Sequence, residues 1–299
     1  MTSGALAPGT VPLGGLRPAR GLWALAWTRF RRHRMALAGL AALAIVVGSA
    51  VLAPVVTSYS PTALDPDHSL APPSRQHLFG TDDLGRDEFA RVIYGGRVSL
   101  LVGLTAMFVG TAIGVVLGSV AGYLGGWVDT LVMRFVDLML SFPAIFLLLI
   151  LINWTGGAAP VLMMIAYLGL FGWTGLARIV RAEYLALRAR EFVEEARAMG
   201  AGSGRIIFRH ILPNAVAPIL VQAAFAVAGA ILAEAALDFL GFGLPPDIPT
   251  WGNLLTQAED YITSNPILAI APGVVITVTV VAVFFIGDAL RDALDVRSR

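Results

Sequence analysis

The chain reads as an all-α, polytopic membrane protein, and three features of its 299 residues predict that class. Only 14% of the residues are charged and 57% are hydrophobic, where a soluble domain carries about 25% charge. Apolar runs recur, each able to cross roughly 30 Å of hydrocarbon as a helix of about 20 residues. Arginine is concentrated in alternate connecting segments, the pattern that sets membrane orientation.

The elements follow in order. Residues 1–19, rich in Gly, Pro and Ala, read as a tail without regular structure. In residues 20–34, RGLWALAWTRFRRHR, Trp23, Trp27 and Phe30 fall at i, i+4 and i+7 with arginines behind them. That spacing suits a helix lying in the membrane interface, or equally a basic flank before a span. Six spans are expected, over 35–56, 98–124, 129–153, 157–177, 211–233 and 266–287. Between them lie an extracytoplasmic loop, 57–97, a cytoplasmic loop, 181–213, and a segment, 237–265, too polar to cross. The first run is too long and begins too deep for a cleavable signal peptide.

With the N-terminus inside, sixteen of the 21 arginines fall on the cytoplasmic side, leaving Arg75, Arg86, Arg91 and Arg97 outside and Arg134 within a span. Both termini are therefore expected in the cytoplasm. Arg134 and Asp137, three apart, share a helix face. A charge at mid-membrane costs at least ~2.5 kcal/mol, so such residues face protein or water. They read as an ion pair near the cytoplasmic end, or as a gate. Gly110, Gly114, Gly118 and Gly122 recur every fourth residue and predict close helix packing. Packing within the subunit is the expected use, a dimer seam the other. Glu234, beside Asp238 at the outer end of span five, would line the outer mouth or cap a solvated helix end.

Several chemistries are excluded. There is no cysteine, hence no disulfide or thiolate site. Every basic residue is arginine, so the lysine that a P-loop places on phosphate is missing. Any ATP must be bound by another chain. His33, His68, His77 and His210 are too scattered for a metal cage.

The loop 181–213 is the polar exception between apolar runs. Leu185, Ala189, Phe192, Ala196 and Met199 recur at three or four, predicting one amphipathic helix over 181–199. Gly200 is placed to end it. Ser203 is placed to cap a short second helix, RIIFRHIL, and Pro213 falls in the first turn of span five. The loop is thus expected as helix, glycine turn, helix, either as a solvated linker or as a lever that docks into a partner.

Here the chain resembles a family. VEEARAMG (193–200), followed after nine residues by HILP (210–213), resembles the EAA loop of binding-protein-dependent ABC importer permeases, E-A-A-x-x-x-G then I-x-L-P. Glu194, Ala196, Gly200, Leu212 and Pro213 match, while Glu195 and His210 depart from the pattern. FGTDDLGRDEFARVIYGGRVSLLVG (79–103), GYLGGWVDTLVMRFVDLMLSFP (122–143) and EAALDFLGFGLPPDIPTWGNLL (234–255) resemble the dipeptide/oligopeptide/nickel branch, specifically its C-type permease.

The resemblance implies a type I ABC importer permease fold in a bacterial plasma membrane. It implies that the chain carries short peptides, with nickel or another small solute as the alternative. Implied partners are a second, similar permease, two cytoplasmic ATPases that use ATP and Mg2+, and an extracytoplasmic solute-binding protein. No cofactor is expected on this chain itself, nor any nucleic-acid partner, and no enzymatic activity. Glu194, Glu195, Ala196 and Gly200 would form the coupling helix that enters an ATPase groove, with Ala196 small enough for close approach. Arg134, Asp137 and Glu234 would serve the pathway or gate. Asp82, Asp83, Arg86, Asp87 and Trp251 would meet the binding protein, Trp251 from an interfacial position. The competing class is a proton-coupled secondary transporter using Arg134, Asp137 and Glu234 as a relay. No internal repeat of the kind common in such transporters is visible.

Overall fold

A computed structural model describes residues 27–154 and 160–294. The expected tail 1–19, residues 20–26 of the interfacial segment, and Arg297 and Arg299 lie outside the described residues. Residues 27–30 are helical, with Trp27 stacked on Phe30 and Arg31 over the Trp27 ring.

Nine helices organise the fold among the described residues: α1 (Arg34–Val51), α2 (Glu88–Leu124), α3 (Gly126–Leu140), α4 (Ala144–Trp154), α5 (Val161–Leu187), α6 (Glu191–Ala198), α7 (Leu212–Phe239), α8 (Trp251–Ala258) and α9 (Ile267–Leu294). Shorter helical turns join them, and no strand is formed among the described residues beyond one isolated bridge, Thr81 to Asp87. Among the described residues, five helices are long and apolar enough to cross a membrane, or six if α3 and α4 together make one span.

Three boundaries differ from expectation, each for a local reason. Helix α2 starts at Glu88, ten residues before its apolar run, because the Asp87 carboxylate accepts from the Ala90 N–H and caps the first turn. At 37 residues it is about 55 Å long, so it projects beyond the hydrocarbon. The straight span expected over 129–153 is broken, with α3 and α4 meeting at 85°. Pro143 lies in the break, where it has no N–H to continue the ladder. The helix expected over 181–199 is also two: α5 stops at Leu187, and α6 begins after Arg190.

The second short helix of the loop is not separate either. Ser203–Arg205 and a π-helical turn, Ile206–Ile211, run straight into α7, giving one rod from Ser203 to Phe239. Ser203 is the first residue of that rod and caps nothing; Gly202 occupies the cap. The π turn carries one extra residue, so the Leu212 N–H reaches back to the Ile207 carbonyl. The Tyr184 hydroxyl of α5 donates to the same carbonyl at 3.1 Å. Pro213 sits in the first turn of α7 as expected.

Packing follows the small residues. The four glycines of α2 all face α5, within the subunit. A methyl group on Gly118 would lie 2.6 Å from the Ala177 carbonyl and 2.8 Å from Val180 Cβ; on Gly122 it would lie 2.7 Å from both the Arg181 carbonyl and Tyr184 Cβ. Helix α1 lies on α9 in the same way, with Gly39 against the Ala282 carbonyl. Helix α7 sits between α2 and α9, where Ile231 fills the space beside Gly103 and Phe225 the space beside Gly287. Gly118→Val is expected to destabilise the fold by about 1–3 kcal/mol, because a backbone carbonyl has no rotamer by which to retreat. Gly273→Ala, with nothing within 4 Å, is the neutral control. Melting temperatures of the two purified variants check this.

Candidate functional site

The connecting segments collect at two ends of the bundle. At one end α6 follows α5. Val193 and Ala196 are buried in a cluster with Val180, Tyr184, Ile206 and Ile211, so one face of α6 is glued to its own chain. Ala196, expected to admit a partner, is only 1% exposed. Its small size lets α6 approach the π turn instead. Met199, expected on the apolar stripe, is 79% exposed because the helix break turns it outward. Glu191, Glu194, Glu195 and Arg197 are exposed on the same outer face.

Gly200 ends α6 as expected. Its φ is +81°, and the Gly200 and Ala201 N–H groups donate to the carbonyls of Arg197 and Ala196, both at 3.0 Å. This is a Schellman closure, which needs a left-handed residue at that point. Beside it lies a cavity of about 380 Å³, lined by Met199, Arg205, Arg209 and His210 among others. The loop end therefore presents carboxylates, an apolar tip and a basic hollow side by side.

The arginines at the end of α5 tie it to α2 and α3. Arg181 forms a two-pronged pair with Asp129 of α3. Arg188 donates to the Gly122 and Tyr123 carbonyls, closing the C-terminus of α2. Asp137 pairs with Arg178 of α5 at 2.6 Å. The expected Arg134–Asp137 pair is thus replaced by one between helices, and Arg134 is exposed. Both Asp137 and Arg178 side chains are about half exposed.

At the opposite end, residues 57–87 and 240–262 fold onto the tips of α2 and α7. Asp82 is the hub. Its carboxylate accepts from Arg86 at 2.6 Å, from Arg91, and from the Leu84 and Arg86 N–H groups. Arg86 also donates to Gln257 of α8 at 3.1 Å, joining the two segments across 171 positions of sequence. Asp87 holds His77 at 2.9 Å as well as capping α2. Of the residues expected to face a binding protein here, Asp82, Arg86 and Asp87 are buried and only Asp83 is exposed. Charged residues on an extramembrane loop suggested an outward surface, yet Asp82 pairs with Arg86 and Arg91, and Asp87 with His77. The large exposed apolar side chains of this loop are instead Tyr59, Leu64, Leu78 and Leu84.

Trp251 is likewise 1% exposed rather than interfacial. Its ring N–H donates to the Val92 carbonyl at 3.0 Å, and Gly96 leaves room for the ring. Thr250 caps α8 and donates to Asp238. The Ser99 hydroxyl donates to Glu234 Oε1 at 3.1 Å and accepts from the Trp251 N–H. Glu234 is wholly buried, and so lines no mouth in this structure. Asn253 donates from one amide nitrogen to the carbonyls of Leu244, Pro245 and Ile248. Segment 234–255 is a clamp that locks α8 between α2 and α7. Sequence reasoning missed Ser99, Asn253 and Gln257; Ser99 and Asn253 had as their only signal a polar residue beside apolar ones, and Gln257, in a polar stretch, had none.

Comparison with known proteins adds the following. A family model described as the binding-protein-dependent transport system inner membrane component matches residues 114–299. A second, the N-terminal TM domain of oligopeptide transport permease C, matches residues 21–73. The chain is 40% identical over 276 residues to a dipeptide transport system permease protein of Alkalihalophilus pseudofirmus, covering 91% of this chain and 89% of the relative. It is 45% identical over 275 residues to a provisionally named peptide transport system permease protein of Brucella abortus, covering 90% of each. Among solved structures it resembles a chain of the MetNI methionine ABC transporter, with a TM-score of 0.57 and 21% identity over 69% of this chain and 96% of that one. That likeness speaks to the fold.

Proposed function

Because this chain belongs to the binding-protein-dependent transport system inner membrane components, we propose that it is the permease subunit through which an ATP-driven importer moves short peptides. The observation that carries the substrate class is that relatives similar over nine-tenths of the chain bear peptide and dipeptide names. The all-arginine composition leaves no P-loop lysine, so ATP and Mg2+ belong to partner ATPases.

The loop end around α6 is the coupling element. Glu194 and Glu195 are free to make charge-assisted contacts with partner arginines, and Met199 offers an apolar tip. The basic hollow beside Arg205 and Arg209 suits an acidic side chain of the same ATPase. Because α6 is packed rigidly on the start of α7, displacement of α6 would move α7 as a body. In this reading the loop end and both termini are cytoplasmic, and the Asp82 end meets the solute-binding protein through Asp83 and the leucines around it. A second, homologous permease completes the pore.

The test is reconstitution of this chain with its partner permease, two ATPases and binding protein in liposomes. Labelled dipeptide uptake is expected only with ATP and Mg2+ on the ATPase side. Uptake by this chain alone down a proton gradient would overturn the reading, and uptake of nickel but not peptide would overturn its substrate class.

A further inference from the structure

Two cavities run along α7 and share residues. The first, about 370 Å³, lies between α2, α4, α5 and α7 and reaches as far as Ala233. The second, about 330 Å³, lies nearer the loop end and reaches Arg291 and Leu294 of α9. Gln222 and Phe225 line both. Phe225 is seated on Gly287 and against the Phe284 ring at 5.5 Å, so it forms a fixed wall between them.

The first cavity has walls of small and apolar residues, with no charged side chain in its lining. Its two polar side chains are Gln222 and Thr111. The Thr111 hydroxyl is shielded and has no hydrogen-bond partner among the described residues. The Gln222 amide forms no hydrogen bond there either. A shielded hydroxyl offers no surface to a solute, so the half-buried Gln222 is the polar side chain of this lining that a solute can reach. The volume is within the roughly 300–1,000 Å³ usual for small-molecule sites.

We infer that Gln222 and Phe225 form a constriction on the transport path, where the Gln222 amide binds the backbone amide of the passing solute. A primary amide both donates and accepts, as a peptide group requires. An uncharged wall of small residues discriminates little between side chains. The charged residues Arg134, Asp137 and Glu234 have no place in either lining. The ligand class here rests on the peptide-import reading above.

The chain has no cysteine, so Gln222→Cys supplies its only thiol. In the complete complex, with cysteine-free partners in liposomes under turnover, a water-soluble methanethiosulfonate is expected to modify that thiol. A transported dipeptide is expected to slow the modification, and modification to stop uptake. Val278→Cys, on α9 and in neither lining, is expected to lack both effects. Gln222→Leu should lower dipeptide uptake about ten-fold, the loss of one hydrogen bond at the constriction, with Gln222→Asn recovering part of it. Failure of the reagent to reach the introduced thiol in any nucleotide state, or labelling that no carried solute slows, would overturn the constriction. Protection by a carried solute other than a peptide would keep the constriction and sink the peptide reading.

Discussion

Asp82→Ala is expected to destabilise the protein by about 3–5 kcal/mol, the cost of leaving buried charges without their counter-ion. The arginines it would strand are nearly inaccessible: the side chains of Arg86 and Arg91 are 10% and 2% exposed. Two backbone N–H groups, of Leu84 and Arg86, would lose their acceptor as well. The Arg86 bond to Gln257 and the packing of Phe79 on the cluster of Val92, Leu254 and Ala271 would then have to hold the loop 57–87 against α8. A lowered melting temperature and new tryptic cleavage after Arg86, identified by mass spectrometry, are the measurable results. Asp83→Ala, one position away and exposed, should stay within about 0.5 kcal/mol of the parent. If Asp82→Ala melted and resisted trypsin like the parent, the hub role of Asp82 would be wrong.

Gly200→Pro is expected to leave the membrane helices intact but to abolish coupled uptake. Proline holds φ near −65° and has no N–H, whereas Gly200 has φ +81° and donates to the Arg197 carbonyl. The local cost is about 3 kcal/mol or more, enough to unwind the last turn of an eight-residue helix. No atom lies within 4 Å of a Cβ at this position, so the effect is one of backbone conformation alone. Gly200→Ala should cost about 1–2 kcal/mol for the left-handed conformation and retain part of the activity. Glu194→Ala removes only an exposed carboxylate, and so should weaken ATPase capture without altering the fold. Co-purification of the ATPases and ATP-driven uptake separate these outcomes. Parental uptake by Gly200→Pro would remove α6 from the coupling role.

Five of the six spans, the arginine asymmetry, the missing P-loop lysine and the glycine stop at 200 were legible in the residues alone. Hydropathy is summed over neighbours in sequence, and a glycine at a helix end is read from its immediate context. The family resemblance was legible for the same reason, carried by short contiguous motifs. The glycine ladder of α2 predicted a close helix contact within the subunit, and α5 supplies it.

What the sequence could not determine was the direction in which its polar residues face. Asp82, Arg86 and Asp87 had the composition of an outward surface and turned out to be a buried network. Trp251 had the signature of an interfacial anchor and is a plug between α2 and α7. Asp137 chose Arg178, 41 positions away, over Arg134 on its own helix face. Ala196 spends its small size on its own chain. In each case one residue type serves opposite ends, because a carboxylate gains from water or from a guanidinium, and an indole from lipid headgroups or from a core. Which of these it meets depends on segments distant in sequence, such as Gln257 approaching Arg86, and only the folded arrangement of helices brings those together.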